Sequence, residues 1–173
     1  MRAFAAAIGE APIDVLINNA GVSGKWNPLG ELDFEDLAHV MDTNAIGPMR
    51  LSSALLPLVL KGNTRKIVHL TTRMGSLTEN TPAGVYGFAG GAYAYRMSKA
   101  ALNQGMRTMA VDFREKGLIT ALLNPGWVQT DMGGKAAPTR VDECVQGLLR
   151  VIDELTLARS GCFFDFQGKE MLW

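Results

Sequence analysis

The chain has 173 residues, 47% of them hydrophobic and 20% charged, the composition of one globular domain. Seventeen basic residues balance seventeen acidic ones, so no cationic footprint points to nucleic acid or to a membrane surface. Two cysteines, Cys144 and Cys162, exclude a disulfide framework and read as free thiols of a reducing, cytoplasmic compartment.

In chain order, the apolar stretch Phe4–Ile8 is soon followed by Glu10 and Asp14, which argues against a secretion signal. Ile13–Ile17 fits a buried parallel strand. Asp33–Leu60 reads as one long helix, with Asp33 as N-cap and Glu35 and Asp36 in the first turn. Within it, Ala54–Leu60 is too short to span a bilayer and contains Pro57. Lys66–Leu70 is a second strand, and Gly75–Gly91 a loop. Ala92–Lys116 is a second helix, stopped by Gly117. Leu118–Leu123 is a third strand, Met132–Thr139 a loop, Arg140–Leu155 a third helix and Cys162–Phe166 a last strand. This alternation predicts an α/β fold around a parallel sheet. Ligands of such sheets sit beyond the carboxyl ends of the strands. Those exits are Asn18-Asn19-Ala20-Gly21, Thr71-Thr72 and Asn124-Pro125-Gly126. Each alone is turn chemistry; three on one sheet edge point to a site.

Tyr95 and Lys99 lie four apart, on one face of the second helix. A nearby ammonium favours phenolate and is expected to lower the tyrosine pKa, as a general acid for a carbonyl requires. A lone Tyr-x-x-x-Lys is weak evidence, since the pattern recurs by chance. Asn44 continues the apolar stripe of Leu37, Val40, Met41, Leu51 and Leu55, so a buried amide with partners is expected there. Pro48 cannot donate to the Asn44 carbonyl, which predicts a kink and a free carbonyl. Thr72 closes a strand and offers a hydroxyl, and Ser76 is a second candidate. His69, inside a strand, reads as a core histidine. His39 has no ligand partners at metal-binding spacing.

Asp14-Val15-Leu16-Ile17-Asn18-Asn19-Ala20-Gly21, Thr43-Asn44, Ile67-Val68-His69-Leu70-Thr71-Thr72, Tyr95-Arg96-Met97-Ser98-Lys99 and Asn124-Pro125-Gly126-Trp127-Val128-Gln129-Thr130 together resemble the short-chain dehydrogenase/reductase family. Arg73-Met74-Gly75-Ser76, Thr130-Asp131-Met132-Gly133-Gly134 and the ending Gly168-Lys169-Glu170-Met171-Leu172-Trp173 look like its C-factor and sniffer-type carbonyl reductase branch. The resemblance implies a Rossmann-like doubly wound parallel sheet in a single NAD(P)-binding unit over residues 1–173. It also implies hydride transfer between NAD or NADP and a small carbonyl or alcohol substrate. By resemblance, Tyr95 donates the proton, Lys99 lowers its pKa and holds the ribose, Thr72 bonds the substrate carbonyl and Asn44 holds a relay water. Asn19, Ala20 and Gly21 line the cofactor, while Pro125, Gly126, Val128 and Thr130 pack on the nicotinamide. The two long helices, Asp33–Leu60 and Ala92–Lys116, pair subunits in this family, so a homo-oligomer is implied.

The chain departs from the family pattern in three places. Thr72 stands where serine is usual. The Thr72-to-Tyr95 interval is long, so Glu79–Gly91 reads as an inserted, glycine-rich and mobile loop. No glycine-rich turn precedes the first strand, so the first βαβ portion is expected to be lacking and Met1–Ile8 reads as the end of its helix. The Ile13–Ile17 strand then becomes an open apolar edge. A second reading follows, a cofactor-deficient chain acting as a non-catalytic interaction protein; turnover of NAD(P)H separates the two. An extended epimerase or dehydratase is disfavoured by the short tail after Pro125-Gly126. Tyr86, Phe88, Trp127 and Met132 are expected to border the substrate pocket.

Overall fold

The computed structural model describes Phe4 and residues 7–173. Most of the helix end expected at Met1–Ile8 lies outside the described residues. Four strands form one parallel sheet in the order β1 (Val15–Asn18), β2 (Lys66–Leu70), β3 (Ile119–Asn124), β4 (Cys162–Asp165). Each strand lies within about two residues of its predicted position. The register places Ile67 beside Thr120 and Leu122 beside Phe163.

Parallel strands need crossovers, and these cover both faces of the sheet. The period-two alternation of strand side chains sorts the core into two layers. Ile67, Leu122 and Phe163 face one way, against Val59, Leu102 and Met106 of the two central helices. Val68, Leu123 and Phe164 face the other way, against Leu148, Val151 and Ile152 of the last helix. Leu122 is 1% exposed; truncating such a residue to alanine costs about 2–5 kcal/mol. Among the described residues, no helix is long and apolar enough to cross a membrane.

The helix expected over Asp33–Leu60 runs without a break but is not regular throughout. It comprises α1 (Phe34–Met41), a π-helical turn (Asp42–Ile46) and α2 (Gly47–Lys61). Asp33 caps α1 as expected, its carboxylate accepting from the Glu35 and Asp36 amides. At the place of the expected proline kink lies the π-turn, where the Gly47 amide donates to the Asp42 carbonyl, five residues back. Pro48 then falls in the first turn of α2, where its missing donor costs nothing.

Helix α3 (Tyr93–Asp112) is followed by a short 3-10 turn and by Gly117, left-handed at φ 70°. Helix α4 (Val141–Glu154) closes the second layer. The buried Lys66 ammonium reaches across to cap α4, donating to the carbonyls of Ile152 at 2.6 Å and Asp153 at 3.2 Å.

The two sheet edges differ. Beyond β4 the chain folds back, so that Met171 donates to Phe163 and Asp165 to Lys169. Among the described residues β1 pairs with β2 alone, and Val15 and Ile17 are 37% and 43% exposed. The expected apolar edge is present.

Candidate active site

Three strand exits meet over one cavity of about 530 Å³, in the size range of small-molecule sites. Its walls include Asn19 and Gly21 after β1, Thr71 and Thr72 after β2, and Pro125, Gly126, Val128 and Thr130 after β3, with Tyr95 and Lys99 from α3. Ala20 is exposed and stands off the wall. Asn44 is also off the wall, fully buried one layer behind Gly21.

Thr72 is buried and caps the 3-10 turn Arg73–Gly75, its hydroxyl accepting from the Met74 amide at 3.2 Å. The same hydroxyl lies on the Tyr95 side of the cavity and acts to lower the pKa of its phenol. Tyr95 enters the cavity from the first turn of α3, and Lys99 follows one turn later. The Lys99 ammonium donates to the Leu70 carbonyl at 2.9 Å and stands 6.0 Å from the Tyr95 ring centre.

The expected lowering of the tyrosine pKa is absent from this arrangement. Burial pushes the Tyr95 phenol up to about 12; the nearby Tyr86 adds to this, and the Thr72 hydroxyl opposes it. Burial also pulls Lys99 down to about 8. A phenol held protonated at neutral pH is a proton donor, whereas the spacing argument alone pointed to a mixed population.

Asn44 has the partners expected of a buried amide. Its Oδ1 accepts from the Val22 amide, and its Nδ2 donates to the Val22 carbonyl and to Ser98 Oγ. Ser98 in turn donates to the Tyr95 carbonyl at 2.8 Å. Gly21 is squeezed between these groups: a Cβ there would stand 3.2 Å from Asn44 Oδ1 and 3.4 Å from Lys99 Nζ. Bare backbone therefore forms this part of the wall.

The opposite wall is braced from behind. Gly126 is left-handed at φ 80°, with Asn124 Oδ1 accepting from its amide. The Cys144 thiol donates to the Pro125 carbonyl at 3.3 Å. Val128 bridges to Thr139, and Thr130 Oγ1 accepts from the Gly133 amide.

Tyr86, Phe88, Trp127 and Met132 border the cavity as expected. The loop bearing the first two is held by hydrogen bonds. Val85 is 2% exposed and exchanges two backbone hydrogen bonds with Phe88 across Tyr86–Gly87, both left-handed. This is the geometry of a tight primed turn. The left-handed backbone at Tyr86, φ 53°, costs about 1–2 kcal/mol, which the surrounding contacts offset.

Ser76 lies outside the cavity and instead accepts from the Glu79 amide. His69 is fully buried on β2, near Asn18 and Ser52, and its Nδ1 has no partner among the described residues. Burial pulls its pKa down to about 3, with Lys99 adding to the effect. Sequence reasoning missed Trp26, Ser98 and the α4 wall of Val141, Cys144, Val145 and Leu148. The one-sided spacing of that wall on a helix is a signal that could have revealed it.

The model of the short chain dehydrogenase family matches residues 1–141. The chain is 54% identical over 173 residues to the C-signal of Myxococcus xanthus, and the match covers all of both proteins. It is 33% identical to the 1-hydroxy-2-glutathionyl-2-methyl-3-butene dehydrogenase of Rhodococcus sp. (strain AD45), covering 75% of that protein. Among solved structures, the carbonyl reductase Sniffer of D. melanogaster superposes with a TM-score of 0.91 at 31% identity, over 99% of this chain and 73% of that one. The NADPH-bound carbonyl reductase from chicken fatty liver gives 0.89 at 35% identity, over 99% and 72%. With its parallel sheet, its Tyr95 and Lys99 on one cavity wall and these likenesses, the chain belongs to the short-chain dehydrogenase/reductase family.

Proposed function

We propose that this chain, as one NAD(P)-binding unit over residues 1–173, moves a hydride between a nicotinamide cofactor and a small carbonyl or alcohol substrate in the cytoplasm. The observation that carries the proposal is the convergence of Tyr95, Thr72 and Lys99 on one cavity wall. The residues present fit a nicotinamide. The bare backbone at Gly21 leaves room for a flat ring, which Asn19, Pro125, Gly126, Val128 and Thr130 would flank.

When bound, the cofactor supplies the hydride; the protein supplies orientation and the proton. Tyr95 gives the proton of its phenol to the substrate oxygen, and its raised pKa keeps that proton in place until charge develops there. Thr72 steers the same oxygen through its hydroxyl. Lys99 would hold the cofactor's ribose and supply positive charge. Asn44 spends its amide on Val22 and Ser98, and so sets the Gly21 backbone against Lys99. The π-turn and helices α2 and α3 provide the outer faces through which two copies pair.

The test is oxidation of NADPH and NADH by the purified chain against a panel of aldehydes and ketones. Tyr95→Phe is expected to lower kcat/KM by about 10³-fold while the cofactor Kd stays close to the parent's. Turnover retained in Tyr95→Phe rejects Tyr95 as the acid.

A further inference from the structure

We propose that Arg96 is a positioning residue: it sets the loop at residues 79–91 and thereby makes the cavity discriminate flat aromatic carbonyl compounds from small aliphatic ones. The word substrate rests on the function proposed above.

Arg96 follows Tyr95 on α3, and one helical step turns it from the cavity into the space under the loop. Its buried guanidinium donates from Nε to the Gly91 carbonyl at 3.1 Å, and from Nη2 to Phe88 at 2.9 Å and Gly90 at 3.1 Å. Nη1 reaches the Met74 carbonyl at 3.5 Å. No carboxylate is among these partners. A buried charge without a counter-ion is costly, and here main-chain carbonyls alone satisfy it. Arginine suits the task, because its planar fork carries five donors and reaches four carbonyls spread around it, one more than the three donors of an ammonium can meet. The carbonyls converge because Gly90, Gly91 and Ala92 are all left-handed, with φ of 66°, 64° and 49°.

The loop held in this way delivers rings to the cavity mouth. Phe88 meets Trp26 edge-on at 5.1 Å and Trp127 at 6.4 Å, and Tyr86 meets Trp127 at 6.3 Å. The Phe88 ring is 42% exposed, so its backbone, whose carbonyl sits on Arg96, decides where it stands. Among the described lining residues Lys99 alone is charged, and it is turned to Leu70. Selection at this mouth therefore rests on ring contacts.

The test compares the full chain with Arg96→Lys, Phe88→Ala and the double variant. Turnover of 2-naphthaldehyde and propanal is measured with NADPH. The naphthaldehyde Kd is read from tryptophan quenching, and hydrogen exchange is followed at residues 84–91. Arg96→Lys is expected to lower the naphthaldehyde-to-propanal ratio of kcat/KM by about fivefold to tenfold, mostly through KM. Propanal turnover stays near the parent's. Phe88→Ala lowers the same ratio, and the double variant loses no more of it than either single one. Loop amides exchange about tenfold faster in Arg96→Lys, while those of α3 do not.

An unchanged ratio with unchanged loop exchange overturns the proposal, as does an equal fall for both aldehydes or an additive double variant. If the parent turns over neither aldehyde, the oxidoreductase reading is what fails. Loop exchange and the naphthaldehyde Kd then decide the role of Arg96: both unchanged in Arg96→Lys reject it, and faster exchange with weaker binding upholds it.

Discussion

Asn44 and Val22 hold each other by two hydrogen bonds of 2.8 Å, one from the Val22 amide to Asn44 Oδ1 and one from Asn44 Nδ2 to the Val22 carbonyl. A side chain thereby completes a rung that the backbone of β1 can no longer make once the strand has ended. The rung fixes the exit of β1 against helix α3, on which Tyr95 and Lys99 stand. Asn44→Ala leaves both Val22 groups and Ser98 short of a partner, and is expected to cost about 2–3 kcal/mol. Asn44→Asp keeps an acceptor for the Val22 amide but turns an oxygen toward the Val22 carbonyl, and should cost at least as much. Urea midpoints of the two variants check this, with the cofactor Kd measured beside them.

The two titrating groups of the cavity separate widely. Lys99, pulled down by burial to about 8, loses its charge near that pH, whereas Tyr95, pushed up to about 12, keeps its proton well beyond it. The rate of carbonyl reduction should fall through one break near pH 8, with none from Tyr95 at lower pH. Lys99→Met should remove the break and lower the plateau. A profile measured from pH 5 to 10.5 decides this, and a break that survives in Lys99→Met assigns it to another group.

His69 makes stability depend on acid. Its folded pKa of about 3 lies below the ordinary value of 6.5, so the unfolded chain binds the proton more readily between those two pH values. Stability therefore falls as pH drops through that window. Between pH 7 and pH 5 the loss from this one group is about 2 kcal/mol. His69→Asn removes the titration, so its urea midpoint should change less over the same range than the parent's.

The open edge at β1 has a colloidal consequence. Val15 and Ile17 present apolar side chains on a strand edge that has no partner strand among the described residues, and such edges recruit further strands. Sedimentation velocity of the 173-residue chain should show association that rises with concentration, and Ile17→Lys should shift it toward the monomer. A single monomer boundary at every concentration rejects the edge as a contact.

Much of the fold could be read from residue type because its signals are local. Gly117 stops the 3-10 turn that follows α3 through its left-handed backbone, Asp33 starts α1 through its carboxylate, and the apolar runs became strands within about two residues. Asn44 could be recognised as buried because it breaks an apolar stripe. The π-turn could not, since shifting one hydrogen bond leaves no trace in composition. The anchoring of the glycine-rich loop was hidden too: Arg96 looks like a surface cation until tertiary structure brings four carbonyls onto it. The Tyr95 pKa was misread for a related reason. Spacing places Lys99 on the same face but says nothing of burial, and burial is the larger effect here.

The π-turn at Asp42–Ile46 makes the number of residues in that stretch matter as much as their identity. Deleting any one of the five would let α1 and α2 fuse into a single regular helix with a complete set of ordinary hydrogen bonds. Where the residue lost is not Asn44 itself, the deletion would also turn Asn44 and the rest of the helix about 100° relative to each other, and so part Asn44 from Val22 or from Ser98. The exposed side chains of Asp42 and Ile46 leave those positions free to vary in kind. The count is not free, and drift along this segment should accumulate as replacements, with insertions and deletions excluded.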